Sequence, residues 1–237
     1  MKTASAWIER LSRHSPLSPG ELALLEQAAG AQRLYAAQEG LAKTGDATEC
    51  AFVILDGLAC EFKLLPDGRR QILAYLFAGD MSEARPPLLP RWDRSVCVLW
   101  PARVAFVPFD MLQKLDAHSG IAQAFGRYSL VRQAIAREWL VNVGHRTAFE
   151  RLSHLLCEIY VRLEAVGLTR DHTFELPLTQ AEIGDTLALS AVHVNRTLME
   201  LRRLKIVTFQ NRQASIHDFD ALRAAAGFDP HYLDYAN

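Results

Sequence analysis

The stretch LTQAEIGDTLALSAVHVNRTLMELRRLKIV, residues 178–207, decides the fold of the C-terminal part of this chain. It contains two short segments with the apolar spacing of helices, separated by a turn at Ala188-Leu189. Thr179 and Glu182 form the pattern of a capping box at the start of the first segment, and Ser190 is a typical N-cap for the second. Two short capped helices joined by a tight turn are typical of a helix-turn-helix.

A hairpin is predicted directly after these two helices. The β-rich runs 206–209 and 214–216 flank the turn-like residues 210–213. Five basic residues and one acidic residue lie between 196 and 212, whereas the whole chain has 26 Lys+Arg against 27 Asp+Glu. A winged helix with local positive charge predicts a DNA-binding domain, because DNA phosphates attract clustered basic side chains.

The outward face of the second helix, predicted over residues 190–203, carries side chains suited to base contacts. Arg196 can donate two hydrogen bonds to guanine, and Asn195 can pair with adenine in the same way. The small apolar side chains of Ala191 and Val192 can contact a thymine methyl group. The sequence therefore predicts sequence-specific binding to double-stranded DNA.

The chain before residue 108 consists mostly of short β-rich runs. Two of these runs end at Asp56-Gly57 and at Pro66-Asp67-Gly68, and two later runs cover 95–99 and 103–107. Strands of this length with regular turns favour a small sandwich or barrel.

The middle of the chain is predicted to be helical. A long helix is expected over 119–143 and an amphipathic helix over 147–166, with Gly144 as the hinge between them. We therefore predict an α+β chain in three parts, which are a β domain over 1–118, the helix over 119–143 and the winged helix over 144–237.

The long helix carries a stripe of apolar residues near the 3.5-residue spacing of a coiled coil. Such a stripe has to be buried, and we predict that a second copy of the chain covers it; packing onto the β domain is the alternative. The predicted dimer seam consists of Ile121, Phe125, Tyr128, Ile135 and Trp139, with Arg132 as its polar interruption.

The composition excludes several classes of protein. The 237 residues are 50% hydrophobic and 22% charged, which is typical of a globular protein and excludes a wholly disordered or collagen-like chain. No apolar run approaches the ~18 residues of a membrane-spanning helix, so no membrane partner is expected. Glu9, Arg10 and Arg13 occupy the place of a signal peptide's apolar core, and we expect a cytoplasmic protein.

No metal site or enzyme active site is predicted. The cysteines, at 50, 60, 97 and 157, lack the spacing of a metal site, and we interpret them as separate reduced thiols. None precedes Cys50, which opposes an N-terminal iron–sulfur cluster. No histidine lies between 15 and 117, which opposes both a haem ligand in the β domain and a metal-dependent β-roll enzyme.

Residues 178–207 resemble the DNA-binding signature of the CRP/FNR superfamily, named after the cyclic-AMP receptor protein and the fumarate-nitrate regulator. Residues 52–57, 67–72 and 79–80 resemble the cyclic-nucleotide-binding-like domain of the same family. The resemblance implies an N-terminal β-roll, a long dimerisation helix and a C-terminal winged helix-turn-helix. It also implies a homodimeric transcription regulator that binds a near-palindromic DNA site, with RNA polymerase as a further partner.

The resemblance assigns DNA contacts to individual residues. It implies phosphate contacts from Thr179, Gln180 and Ser190, and base contacts from Val192, His193 and Arg196. The full predicted DNA-binding set is Thr179, Gln180, Ser190, Val192, His193, Asn195, Arg196 and Arg212. Many family members carry glutamate in place of Val192, so their target sequences are not expected to apply, and many carry glycine in place of Ala188.

The effector of the β domain stays open. Gly79-Asp80, followed by Glu83 and then by Arg94 and Ser95, partly resembles the family's cyclic-nucleotide pocket, but residues 84–87 depart from it. Glu83, Arg94 and Ser95 are therefore candidate effector-binding residues, while no cofactor is expected and the small-molecule effector is unknown. The alternative function is a cyclic-nucleotide-binding signalling module whose winged helix contacts a protein. Steep loss of DNA affinity with salt would distinguish the two.

Overall fold

The computed structural model describes residues 5–84 and 90–234. The described residues divide into two compact units. The first contains the residues up to Lys63 and those from Leu73 to Gln133, and the second contains Leu64–Ile72 and Ala134–Asp234. Most of the segment 84–87, where the sequence departs from the family's nucleotide pocket, lies outside the described residues.

The first unit contains a β-sheet. Two helices precede its strands in the sequence, and two follow them. Its strands pair in the order β1-β5-β3-β4, and β2 also pairs with β5. This arrangement, together with the helical second unit, confirms the predicted α+β fold with an N-terminal β-roll. The elements are α1 (Ser5–His14), α2 (Pro19–Ala28), β1 (Gln32–Tyr35), β2 (Gly40–Ala42), β3 (Cys50–Leu64), β4 (Arg70–Phe77), β5 (Ser95–Pro108), α3 (Phe109–Asp116) and α4 (Ser119–His145).

Two strands are longer than the sequence predicts. The expected turn at Asp56-Gly57 lies inside β3, where the pairing with β5 shifts in register, and the two runs 95–99 and 103–107 form the single strand β5. Gly57 has a φ of +88°, and a Cβ there would lie 2.3 Å from the carbonyl oxygen of Pro101. Only glycine fits this bulge, which lets a long strand bend without ending.

Two apolar clusters stabilise the first unit. One lies within the sheet, where Phe52 stacks on Trp92 with ring centroids 5.5 Å apart. The other joins the helices to the strands and includes Trp7 of α1, Leu25 of α2 and Phe125 of α4, all with no exposed surface. Helix α4 is therefore part of the core of this unit over its N-terminal half.

The second unit is mainly helical and carries a small antiparallel sheet, whose strands pair in the order β6-β7-β9-β8. The end of α4 and the hairpin residues 64–72 belong to it as well. The remaining elements are α5 (Ala148–Glu164), β6 (Thr169–Arg170), β7 (Thr173–Glu175), α6 (Gln180–Leu187), α7 (Ala191–Arg203), β8 (Val207–Gln210), β9 (Gln213–Ile216), α8 (Phe219–Ala226) and a 3-10 turn at Pro230–Leu233.

The predicted hinge at Gly144 is wrong, because α4 continues through this glycine to His145. The boundary is set instead by Thr147, which caps α5. Its hydroxyl accepts a hydrogen bond from the Glu150 amide, and its own amide donates to the Glu150 carboxylate at 2.6 Å. A glycine costs a helix only about 1 kcal/mol, whereas a complete capping box fixes where the next helix begins.

No helix within 5–84 and 90–234 combines the length and the apolar character needed to cross a bilayer.

Candidate nucleic-acid interface

Helices α6 and α7 form the predicted helix-turn-helix, and short-range hydrogen bonds fix its start. The Thr179 hydroxyl accepts from the amide of Glu182 at 3.1 Å, and the Glu182 carboxylate accepts from the Thr179 amide at 2.7 Å. The Ser190 hydroxyl accepts from the His193 amide at 3.2 Å and so begins α7. These bonds satisfy amides that a helix start otherwise leaves without partners.

The turn between the two helices depends on one glycine that the sequence analysis does not single out. A Cβ at Gly184 would lie 2.4 Å from the carbonyl oxygen of Leu189, so α6 can approach the turn this closely only with glycine at that position. The available signal is a glycine inside a predicted helix, which usually has a packing reason. Ala188 ends α6 in the left-handed region, with φ 55° and ψ 44°.

Helix α7 separates a buried face from an exposed one. Val194, Thr197 and Leu201 are buried within the second unit. The opposite side is formed by Ala191, Val192, Asn195, Arg196 and Met199, all of which are exposed. Val192 is 80% exposed and Met199 is 66% exposed, so this face presents apolar as well as polar side chains to solvent.

The predicted DNA-binding residues lie along this part of the second unit. Thr179 and Ser190 occupy the N-caps of the two helices, and Gln180 is the first residue of α6. His193 is half-buried on the first turn of α7. Helix N-termini with exposed hydroxyl caps are suited to bind phosphate, because their amides and dipole favour negative charge.

Arg212 lies at the tip of the predicted wing. Asn211 and Arg212, between β8 and β9, have φ values of 52° and 63°, which is the backbone of a tight hairpin turn. The Arg212 carbonyl accepts a hydrogen bond from the Leu176 amide at 2.8 Å, so the wing is fixed to the segment between β7 and α6. Its side chain is exposed.

The positive charge expected from the sequence is at the surface. The basic residues concerned are exposed in the structure, namely Arg196, Arg202, Arg203, Lys205 and Arg212. The second unit therefore combines exposed side chains of types that can contact bases with exposed positive charge on one helix and the hairpin after it.

The candidate effector residues are only partly brought together. Arg94 donates to the Glu83 carboxylate at 2.6 Å, so these two lie in contact. Ser95 is engaged elsewhere, where its hydroxyl accepts from the Thr44 amide at 3.0 Å. The structure thus supports a Glu83–Arg94 pair and separates Ser95 from it.

A buried glutamate that the sequence analysis does not name completes this cluster. Both oxygens of the Glu61 carboxylate contact Arg94, at 2.9 and 3.1 Å, and one of them also contacts Arg132 of α4 at 2.7 Å. Burial lowers the pKa of Arg94, but the charges of Glu61 and Glu83 and their hydrogen bonds outweigh it, so the pKa lies above its usual value. The guanidinium of Arg94 is already balanced by carboxylates of its own chain.

The predicted dimer seam is wrong, because its side chains are covered by their own chain. They are between 0% and 8% exposed. Arg132 does not interrupt an interface with a second chain, because its guanidinium contacts Glu61 of the same chain. A polar contact also shows that this face of α4 packs on its own chain: the Tyr128 hydroxyl accepts from the amide of Met81 and donates to its carbonyl. An apolar stripe shows that a face is buried, but not by which chain. The residues concerned are Ile121, Phe125, Tyr128, Ile135 and Trp139.

A second stripe lies on the opposite side of α4. Leu130 and Leu140 are 62% and 70% exposed, and Val141 is exposed as well. Together with Gln133 and Arg137 these side chains recur at intervals of three and four residues, which places them on one face of the helix. We call this face the outer stripe.

All four cysteines are free thiols, as the sequence predicts, but two of them are in contact. The sulfur atoms of Cys60 and Cys97 lie 3.6 Å apart in the first unit. In the part of the chain that the structure describes, no group of three or more His, Cys, Asp or Glu side chains is placed to hold a metal ion.

Comparisons with known proteins agree with this geometry. Residues 32–119 match the family described as "Cyclic nucleotide-binding domain", and residues 150–225 match the "Crp-like helix-turn-helix domain". The matches thus cover the β-roll and the winged helix separately.

Two relatives that are named as transcriptional activators align with most of this chain. The transcriptional activator protein FnrL of Cereibacter sphaeroides is 29% identical over 214 residues, which cover 88% of this chain and 85% of FnrL. The transcriptional activatory protein AadR of Rhodopseudomonas palustris is 27% identical over 196 residues, 81% of this chain and 80% of AadR. FixK2 from Bradyrhizobium japonicum has the same fold, with a TM-score of 0.75 at 24% identity over 84% of this chain and 98% of that one.

Proposed function

Since this chain belongs to the CRP/FNR family of DNA-binding transcription regulators, we propose that it acts as a homodimer on a near-palindromic DNA site. Each copy places its helix α7 in one major groove, and the two half-sites lie about one helical turn of DNA apart. The exposed face of α7 is the observation that carries this proposal.

The side chains on that face have complementary roles. Arg196 donates to a guanine and Asn195 pairs with an adenine, while Val192 contacts a thymine methyl group. Thr179, Gln180 and Ser190 contact phosphates on either side, and Arg212 does so from the wing. Phosphate contacts fix the position of the protein on DNA, and base contacts select the sequence.

The outer stripe of α4 supports the homodimer. It presents Leu130, Leu140 and Val141 to solvent on a face of this helix that the described residues leave uncovered. Apolar side chains at intervals of three and four residues pack against the same stripe of a second copy. A symmetric pair of recognition helices then requires a site with inverted symmetry.

The relatives FnrL and AadR are both named as activators. An activator acts by contacting RNA polymerase at a promoter, and we therefore propose RNA polymerase as a partner. We also propose that the protein acts in the cytoplasm. We propose that a small molecule bound in the β-roll controls DNA binding and that the protein catalyses no reaction.

Selection of duplexes from a random pool at moderate salt tests this function. We expect enrichment of an inverted repeat, with affinity that falls steeply as salt rises, because phosphate contacts release counterions. Arg196→Ala should weaken binding to the selected site by about 1–3 kcal/mol and relax the preference at one base pair of each half-site.

Lys114→Ala is the matched control, because it removes one positive charge from an exposed side chain of α3 in the first unit. It should leave site preference unchanged. If Arg196→Ala discriminates between sites as well as the unaltered protein, the assignment of α7 as the recognition helix is wrong. Capture of a protein partner by the winged helix without any DNA enrichment would favour the signalling module instead.

A further inference from the structure

Cys60 and Cys97 lie directly opposite each other on the antiparallel strands β3 and β5. Both are thiols, and both are buried. Opposed residues on antiparallel strands have Cα atoms about 4.5–5.5 Å apart, which lies within the range that a disulfide spans. The sulfur atoms are 3.6 Å apart, so they need to approach by only about 1.5 Å to reach the length of a disulfide bond.

Cys97 is buried but keeps 7% of its surface exposed, and open space lies on one side of it. Its other cross-strand neighbour is Gly40 of β2, which is exposed. Paired residues on antiparallel strands point their side chains to the same face, so the missing side chain of Gly40 leaves a gap beside Cys97. A Cβ at Gly40 would meet no atom within 4 Å, and the gap therefore opens to solvent.

We propose that Cys60 and Cys97 are a redox-active pair that closes to an intramolecular disulfide when the protein meets hydrogen peroxide. The Cys97 thiolate attacks one peroxide oxygen, an S–O bond forms and the O–O bond breaks. The leaving hydroxide takes up the proton lost by Cys97 and becomes water. The product on Cys97 is a sulfenic acid.

The second step joins the two strands. The sulfur of Cys60 attacks the sulfenic sulfur of Cys97, the S–S bond forms, the S–O bond breaks, and the Cys60 proton leaves with the oxygen as a second water. The two thiols together lose two electrons, and the peroxide is reduced to two molecules of water. A cellular thiol reverses the bond by exchange, as expected of disulfides in a reducing compartment.

The position of the pair gives the bond a structural consequence. Cys60 is followed by Glu61, the carboxylate that contacts both Arg94 and Arg132. A covalent link between β3 and β5 at Cys60 therefore forms next to the charged cluster that holds α4. Buried thiols in apolar surroundings are usually unreactive, and the pair differs from them in its partner sulfur and in the gap at Gly40.

Thiol titration of the wild-type chain is the direct test. The native protein is treated with hydrogen peroxide, denatured and titrated. The thiols of the four cysteines should fall to two and return to four with dithiothreitol. Peptide mass spectrometry should find one cross-linked pair of peptides that contains Cys60 and Cys97. Four remaining thiols, or oxidation confined to Cys50 and Cys157, would overturn the proposal.

Variants separate the pair from the other cysteines. The double variant Cys50→Ser, Cys157→Ser keeps the pair and should still lose both remaining thiols. Cys157 is not expected to take part, because burial raises its pKa to about 12 and makes it a poor nucleophile. Cys97→Ser should form no intramolecular disulfide. Gly40→Val fills the gap beside Cys97 and should slow oxidation several-fold, and an unchanged rate would contradict the proposed route of access.

Discussion

Arg132 of α4 and Glu61 of β3 form an ion pair, with 2.7 Å between Nη2 of the arginine and Oε2 of the glutamate. The same arginine donates to the main-chain carbonyls of Met81 and Ser82, at 2.6 and 3.0 Å. Glu61 is 3% exposed, so its negative charge is compensated by arginines rather than by water. This pair fixes the helix to the β-roll from within the first unit.

Removing one partner of that pair should destabilise the protein strongly. Arg132→Ala leaves the Glu61 carboxylate with one arginine fewer in a buried position, and we expect a loss of about 3 kcal/mol in the free energy of unfolding. Urea denaturation measures it. Lys114→Ala, at an exposed position in α3 and away from the outer stripe, is the control and should change stability by less than about 0.5 kcal/mol. Equal effects of the two would contradict the role given to Glu61.

The outer stripe of α4 should carry the dimer. Leu130→Glu combined with Leu140→Glu places charge on that stripe, and the mass in light scattering should fall from twice the 26.5 kDa of one chain to that of a single chain. Gln113→Glu on the exposed side of α3 adds the same charge elsewhere and should leave the mass unchanged. Tyr128→Glu, on the buried face, should instead impair folding, visible by circular dichroism. An unchanged mass in the double variant would exclude this stripe.

Glycine at 184 and alanine at 188 should respond to substitution in opposite directions. Gly184→Ala drives a Cβ into the Leu189 carbonyl and should cost about 1–3 kcal/mol of unfolding free energy. Ala188→Gly relieves a left-handed backbone and should stabilise by about 0.5–1 kcal/mol. Thermal unfolding monitored by circular dichroism distinguishes them. Gly20→Ala, in α2 where a Cβ meets nothing within 4 Å, is the control for adding a methyl group, and it should not destabilise the protein.

Acid should weaken the second unit through His154. This side chain is 1% exposed, and burial, followed by the positive charge of Arg146, lowers its pKa from 6.5 to about 3. Between these values the unfolded chain binds a proton that the folded chain does not, so stability falls as pH drops below 6.5, by about 1.4 kcal/mol per pH unit.

Denaturant unfolding at several pH values measures this slope. His154→Gln should remove it, whereas His145→Gln, at an exposed position, should keep it. The difference between variants isolates His154 from Glu158, whose pKa burial raises and which therefore adds stability as pH falls. Parallel slopes in the wild type and His154→Gln would contradict the prediction.

Cyclic nucleotides should not bind with useful affinity. A cyclic phosphate needs the Arg94 guanidinium, which already contacts Glu61, Glu83 and Asp93. A phosphate placed there would face these carboxylates and be repelled by them. Isothermal titration with cyclic AMP and cyclic GMP should show no saturable heat, with a cyclic-AMP-binding member of the family as positive control. Saturable binding at micromolar concentration would restore Glu83 and Arg94 as a nucleotide site.

The helix-turn-helix could be predicted from the sequence almost to the residue. Its N-caps and capping box are hydrogen bonds between residues three positions apart, such as Thr179 with Glu182, so the order of residues contains the signal. The wing is equally local, because its turn depends on two adjacent residues. The family assignment follows from the same stretch.

What the tertiary structure alone decides are contacts between distant residues. Glu61 and Arg132 are 71 positions apart, and Cys60 and Cys97 are 37 apart. Whether such pairs meet depends on the bulge at Gly57, which shifts the register of β3 on β5, and on which side of α4 packs on the β-roll. A shift of one residue turns every side chain of a strand to the other face.

The sequence by itself therefore determined the DNA-binding module and the periodicity of α4, because hydrogen bonds and helical spacing act between near neighbours. Only the tertiary structure decided that the stripe from Ile121 to Trp139 is buried within its own chain, that carboxylates balance the charge of Arg94, and that the sulfur atoms of Cys60 and Cys97 lie in contact. Burial and charge compensation are properties of surfaces brought together by folding, and an apolar or charged residue in the sequence does not specify its partner.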